Sequence, residues 1–147
     1  KSQRYVDESD MDYILPPAIA RIPEARQRFE GLMQEISQAY RDLKTILSEH
    51  GRAQKSNEDA RFVLPQAAET KIVITMNCRS LLHFFSLRCC ARAQWEIREM
   101  ALAMLTLCRE RLPAIFATAG ARCERLGYCP ESERFTCGRY PLRDNGA

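Results

Sequence analysis

Residues 69–111 read ETKIVITMNCRSLLHFFSLRCCARAQWEIREMALAMLTLCRER, and the reading of this stretch decides the fold. Two patterns meet at Asn77. The run Glu69-Thr70-Lys71-Ile72-Val73-Ile74-Thr75-Met76 is rich in β-branched side chains with partial alternation. That composition predicts a strand, ended by Asn77. From Ser80 to Arg111 the apolar spacing turns helical and predicts two helices or one bent one. The second part is amphipathic through Trp95, Ile97, Met100, Ala101, Met104, Leu105 and Cys108. Pro113 marks a break, because its ring excludes a helical hydrogen bond.

Working back from that stretch, a long amphipathic helix is predicted from about Pro23 to His50. Its apolar positions are Phe29, Leu32, Met33, Ile36, Tyr40, Leu43, Ile46 and Leu47, spaced by three and four. Pro23 suits a first helical turn, and Gly51 is a natural stop. Ser56-Asn57-Glu58-Asp59 looks like a helix start with a side-chain cap and acids in the first turn. Pro65 keeps that helix short. The first twenty residues are irregular, with Pro16-Pro17 stopping any helix. Forward of the stretch, Gly120 to Ala147 shows no clear periodicity. There is no internal repeat and no low-complexity segment. The residues alone therefore predict a mostly helical chain with one clear strand.

At 147 residues, 46% hydrophobic and 28% charged, the chain fits one soluble globular domain. Collagen-like and strongly disordered classes are excluded. The charge balance is 22 − 19 = +3. It tolerates an anionic ligand but gives no reason to expect nucleic acid. No apolar run approaches the ~18 residues needed to span a bilayer, so no membrane association is expected. Residue 1 is Lys rather than Met, and no signal peptide precedes it, which points to a processed terminus or a fragment. The cysteine count is seven, an odd number, and Cys78, Cys89 and Cys90 fall in helical sequence. This is unlike a secreted disulfide scaffold and predicts a cytoplasmic protein with reduced thiols.

Arg4, Arg61, Arg79 and Arg88 stand out as candidate anion ligands. Arg61 opens the apolar run to Pro65, Arg79 follows the predicted strand, and Arg88 lies between Phe84-Phe85 and Cys89-Cys90. Guanidinium in apolar sequence is costly without an anionic partner. Its planar fork suits phosphate and the edge of a base. The alternative is an internal salt bridge to Glu69, Glu96 or Glu99. Asn77-Cys78-Arg79 occupies an element end, where ligand contacts concentrate. His83 shares a helix face with Arg79; a histidine satisfied within the core is the competing reading. A nucleophilic pairing of His83 with Cys89 or Cys90 has nothing to orient the imidazole. The tail spacing Cys123-x5-Cys129-x7-Cys137 lacks the tight pair of a zinc site, even with Cys108 as a fourth ligand, so no metal is expected. Reduced thiols or a disulfide are favoured there. No Gly-rich phosphate loop, H-E-x-x-H or G-x-S-x-G is present.

Taken together, Ala60-Arg61-Phe62-Val63-Leu64-Pro65, Thr70, Asn77-Cys78-Arg79-Ser80-Leu81, His83-Phe84, Leu87-Arg88 and Ala93-Gln94-Trp95-Glu96-Ile97-Arg98 resemble the flavin-dependent thymidylate synthases in order and spacing. Ser2-Gln3-Arg4-Tyr5 resembles the end of that family's motif R-H-R-x-x-S-x-N-E-x-S-x-R-Y. The resemblance runs to about residue 115. It implies the C-terminal two-thirds of such an enzyme, cut within the motif, with residues 1–118 in the enzyme domain and 119–147 a cysteine-containing tail.

The resemblance implies an α+β fold, with long helices packed on a small, mostly antiparallel sheet whose N-terminal strands are absent from this chain. It implies conversion of dUMP to dTMP with methylenetetrahydrofolate as carbon donor, FAD as hydride carrier and NADPH as reductant. Ser2, Gln3, Arg4, Arg61 and Arg88 would bind dUMP, with Arg61 reaching in from a neighbouring subunit and Arg88 catalytic at the uracil edge. Asn77, Cys78, Arg79 and His83 would contact FAD. A homotetramer with shared sites is implied too. The competing class is a non-catalytic nucleotide-binding or assembly subunit, motivated by the missing R-H-R segment. A helical RNA-binding module would rest on charge alone.

Overall fold

The structure is a computed structural model and describes residues 5–143. Ser2, Gln3 and Arg4 lie outside the described residues. The chain divides into two compact units, meeting in sequence between Val73 and Ile74.

The first unit is built on α2 (Pro23–Leu47), preceded by α1 (Pro17–Ala20) and followed by α3 (Ser56–Ala60). Both α1 and α2 carry proline in the first turn, where its missing N–H costs nothing. The α2 stripe is narrower than its apolar residues suggest. Met33 and Tyr40 are buried, while Leu32 and Ile46 are 39% and 50% exposed. The inward register is therefore 29, 33, 36, 40, 43, 47, a strict three-four alternation. After Leu47 the last turn widens, and Gly51 adopts φ 79°, a left-handed geometry that glycine enters without penalty. Tyr13 packs edge-on to Phe29 with ring centroids 5.8 Å apart. Ser56 begins α3 as expected, but it does not cap the helix: its hydroxyl donates back to the Ala53 carbonyl at 3.0 Å.

The second unit contains α4 (Cys78–Arg88), α5 (Trp95–Arg111), α6 (Pro113–Phe116) and α7 (Arg122–Leu126). Helices α4 and α5 are the two predicted ones, separated by a turn at residues 89–94. Phe85, Cys89, Ala101, Leu105, Phe116, Ala119 and Ala121 form its core. Phe85 is fully buried and meets Phe84 and Phe116 edge-on at 5.8 and 6.0 Å. Complete burial of such a ring is worth about 1.5–3 kcal/mol. Arg109 stitches the turn after α6 by donating to the Phe116 carbonyl at 3.4 Å and to that of Ala119. Gly127 ends α7 at φ 74°.

The expected α+β fold with a small antiparallel sheet is not found: no strand occurs among the described residues. Antiparallel pairing is reduced to one bridge, Tyr13 with Ala68, flanked by Ile14 N–H to Ala67 O and Glu69 N–H to Asp12 O, both at 2.8 Å. The pairing stops there. Beyond it Ile72, Val73 and Ile74 are 77%, 98% and 59% exposed. Strand propensity expresses fit to a pleated, half-buried surface. Without a paired neighbour along 70–76, β-branched composition does not make a strand.

Candidate functional site

The predicted strand end is a helix start. Asn77 is the N-cap of α4, and its side-chain oxygen accepts from the Ser80 N–H at 2.9 Å. This satisfies one of the donors that every helix N-terminus leaves open. Gln94 does the same for α5 through the Ile97 N–H at 3.1 Å. Helix α4 then turns two faces outward from its axis. Cys78, Leu81, Phe85 and Cys89 pack into the core. On the other side, Met76, Arg79, Ser80, His83, Phe84, Leu87 and Arg88 line an open groove of about 430 Å³.

The structure therefore brings together Arg79, His83 and Arg88, three of the residues picked out by sequence. It places Asn77 beside them as a cap and turns Cys78 towards the core. Arg79, His83 and Arg88 are exposed, and no hydrogen bond or ion pair joins the side chain of any of them to another described residue. Neither Glu96 nor Glu99 takes up Arg79 or Arg88. Met76, Ser80 and Phe84 complete the groove with Leu87. Ser80 and Phe84 were signalled in the sequence by their spacing of four leading to Arg88, whereas Met76 precedes the helix and had no such signal.

Arg61 behaves differently. It opens a 3₁₀ turn, Arg61–Val63, in the first unit. Its side chain is 18% exposed and donates to the Val6 carbonyl at 3.0 Å. It also meets Glu8 at 3.4 Å. The internal partner is Glu8 rather than Glu69, which instead pairs with Lys71 at 3.2 Å. Buried Glu8 also donates its backbone N–H to the Tyr40 hydroxyl at 3.3 Å. The Arg61 Nε is buried and has no partner.

All seven cysteines are unbridged. Burial raises the Cys89 pKa first, with the negative charge of Glu124 adding to it. A thiol held protonated in a core is a poor nucleophile. Among the described residues, no group of histidine, cysteine and acidic side chains is arranged to hold a metal ion. No helix there is long and apolar enough to cross a membrane.

An exposed helix face with interleaved guanidinium, imidazole and apolar side chains has the chemistry to take a planar, anionic ligand. Residues 1–114 match the family model described as thymidylate synthase complementing protein, and the chain belongs to that family. It is similar to the protein named flavin-dependent thymidylate synthase from Nitratidesulfovibrio vulgaris, at 66% identity over 99% of this chain and 60% of that one. The protein of the same name from Geobacter sulfurreducens is 48% identical over 95% of this chain and 57% of its own length. That from Thermococcus onnurineus is 43% identical over 90% and 55%. The chain thus spans little more than half the length of the curated relatives it matches.

Proposed function

We propose that this chain is part of a flavin-dependent thymidylate synthase. The reaction is reductive methylation of dUMP to dTMP, with methylenetetrahydrofolate as carbon donor, FAD as hydride carrier and NADPH as reductant. One observation carries the reading: Arg79, His83 and Arg88 line a single groove on α4, and none of their side chains has a partner among the described residues. Exposed cationic and N–H donors without internal acceptors fit a ligand that brings its own anions and carbonyls. The apolar sides of Met76, Phe84 and Leu87 fit the face of a ring system. FAD, when bound, supplies hydride to C6 of the uracil.

Each residue then has a separable task. Arg88 donates to the uracil edge. Hydride arrival at C6 builds negative charge on the N3 and O4 side, and a guanidinium fixed there stabilises the transition state more than the ground state. Arg79 and His83 would hold FAD. Asn77 fixes the start of α4 with its side-chain oxygen, leaving its amide nitrogen to donate, and Cys78 seats the same turn from the core side. Arg61, with its unpartnered Nε, serves the dUMP phosphate together with Ser2, Gln3 and Arg4. Arg61 acts from a neighbouring subunit of a homotetramer. No thiol takes part, which agrees with the buried, protonated Cys89. The cytoplasm is the location that goes with this activity.

The test is the full-length protein. It should purify with a flavin absorption spectrum, oxidise NADPH only when dUMP and methylenetetrahydrofolate are present, and release dTMP. A colourless protein that still bound dUMP would replace this reading with a non-catalytic nucleotide-binding subunit. Light scattering on the same sample should give a tetramer, and cell fractionation should place it in the cytoplasm.

A further inference from the structure

A second cavity, of about 240 Å³, lies in the same unit and shares Leu87 and Arg88 with the α4 groove. Its walls carry Cys90, Cys123, Cys129 and Cys137, and Arg88 forms part of its lining as well as that of the groove. Four of the seven cysteines thus face one small space that the proposed reaction does not use.

The four are not equivalent. Cys129 is 7% exposed and fixed by its backbone, whose N–H donates to the Pro141 carbonyl at 2.6 Å beside a bridge to Leu142. Cys137 is exposed and sits in the loop after Phe135, whose carbonyl and ring are held by Arg92. Cys90 and Cys123 are both half-buried. Cys90 lies just past the end of α4, and Cys123 is in the first turn of α7. Burial raises the Cys123 pKa, and of the groups whose charge raises it further Cys90 comes first, ahead of Glu124 and Cys129. With Cys129 pinned by its backbone and Cys137 in an exposed loop, Cys90 and Cys123 remain as the two half-buried thiols on this cavity.

We propose that Cys90 and Cys123 are a peroxide-sensitive dithiol that closes to a disulfide across this cavity. The proposal is independent of the reaction assigned to the groove. Peroxide is the oxidant. The Cys90 thiolate attacks one peroxide oxygen, forming an S–O bond and breaking the O–O bond; the departing hydroxide takes up the thiol proton as water. Cys123 sulfur then displaces the hydroxyl of that sulfenic acid, forming S–S, breaking S–O and releasing a second water. Two thiols lose two electrons and two protons, and one peroxide is reduced to two waters. Cys123, whose pKa is raised, is the slower nucleophile and the resolving partner, which assigns the first encounter with the oxidant to Cys90. Closure ties the exit of α4 to α7, two residues from Arg88.

The test treats the full-length protein with stoichiometric hydrogen peroxide, blocks residual thiols by alkylation and maps non-reduced peptides by mass spectrometry. A Cys90–Cys123 cross-linked peptide that disappears with dithiothreitol is the expected result. In Cys123→Ser, a dimedone adduct should accumulate on Cys90; in Cys90→Ser, Cys123 should stay unmodified. Cross-linking of Cys123 to Cys129, sulfinic acid on Cys90 in the unaltered protein, or no oxidation of either residue would each overturn the proposal. The mapping on unaltered protein decides the matter even where a serine variant fails to fold.

Discussion

Replacing Phe85 with alanine tests whether α4 is anchored as described. The ring has 0% exposure and meets Phe84 and Phe116 edge-on at 5.8 and 6.0 Å. Truncating a buried phenylalanine costs about 3–5 kcal/mol through lost transfer energy and the cavity left behind. Each edge-to-face pair is worth about 0.5–1.5 kcal/mol beyond area. Two such pairs place Phe85→Ala in the upper part of the range, at about 4 kcal/mol, or roughly three decades in the folding equilibrium. Phe85→Leu keeps most of the apolar volume and should lose no more than about 1.5 kcal/mol. The assay is urea unfolding of the full-length protein by circular dichroism at fixed protein concentration, with native-state hydrogen exchange reporting on the α4 amides. An alanine variant within about 1 kcal/mol of the parent would refute the packing argument. So would a leucine variant less stable than the alanine one.

Arg88→Ala should lower kcat by at least about 10²-fold, the scale for one donor aimed at developing charge, while the flavin spectrum and urea midpoint stay unchanged; retained turnover removes Arg88 from the chemistry. Asn77→Ala should cost about 1 kcal/mol by uncapping α4, and Asn77→Asp should keep stability because its carboxylate still accepts from the Ser80 N–H; an unchanged alanine variant would mean the cap contributes nothing. Asp7 is lowered from 3.8 to about 2, chiefly by its hydrogen bond from Lys44 and then that from the Ser9 hydroxyl. A depressed carboxylate stabilises the fold above its unfolded value, and that contribution fades as pH falls from about 4 towards 2. With Asp7 and Lys44 side chains 50% and 28% exposed, screening holds the effect under about 1 kcal/mol. Asp7→Asn should flatten that part of the stability–pH curve, and an unchanged acid limb would show that the pair does not contribute.

The helices were legible because local periodicity and proline punctuation carry them. Pro23, Ser56 and Arg111 fall at the boundaries expected, and Cys78 opens α4 two residues before the expected Ser80. The run Ile72-Val73-Ile74 was not, because a strand depends on hydrogen bonds supplied by another segment, and composition cannot report whether that segment is there. Asn77 was seen as the end of one element rather than the start of the next. A side-chain cap and a strand-terminating asparagine look alike until the following N–H groups are placed. Of the candidate site, only the pairing of Arg79 with His83, four residues apart, was legible as a spacing; Arg88, nine residues from Arg79, lies half a turn round the helix and joins them only through the width of the groove. The partner of Arg61 was hidden because Glu8 lies 53 positions away in sequence. Charge complementarity at that distance has no local signature.

Helix α4 serves two surfaces with one register. Cys78, Leu81, Phe85 and Cys89 turn inward, and Arg79, His83 and Arg88 turn outward. One inserted or deleted residue rotates everything beyond it by about 100° about the axis. Such a change between Ser80 and Phe84 would swing a guanidinium towards the core and an aromatic ring towards water in a single event. Descendants of this chain can therefore vary by replacement along α4, one position at a time. They cannot vary there by gain or loss of length, and a gap in this helix would be an early mark of a copy released from selection.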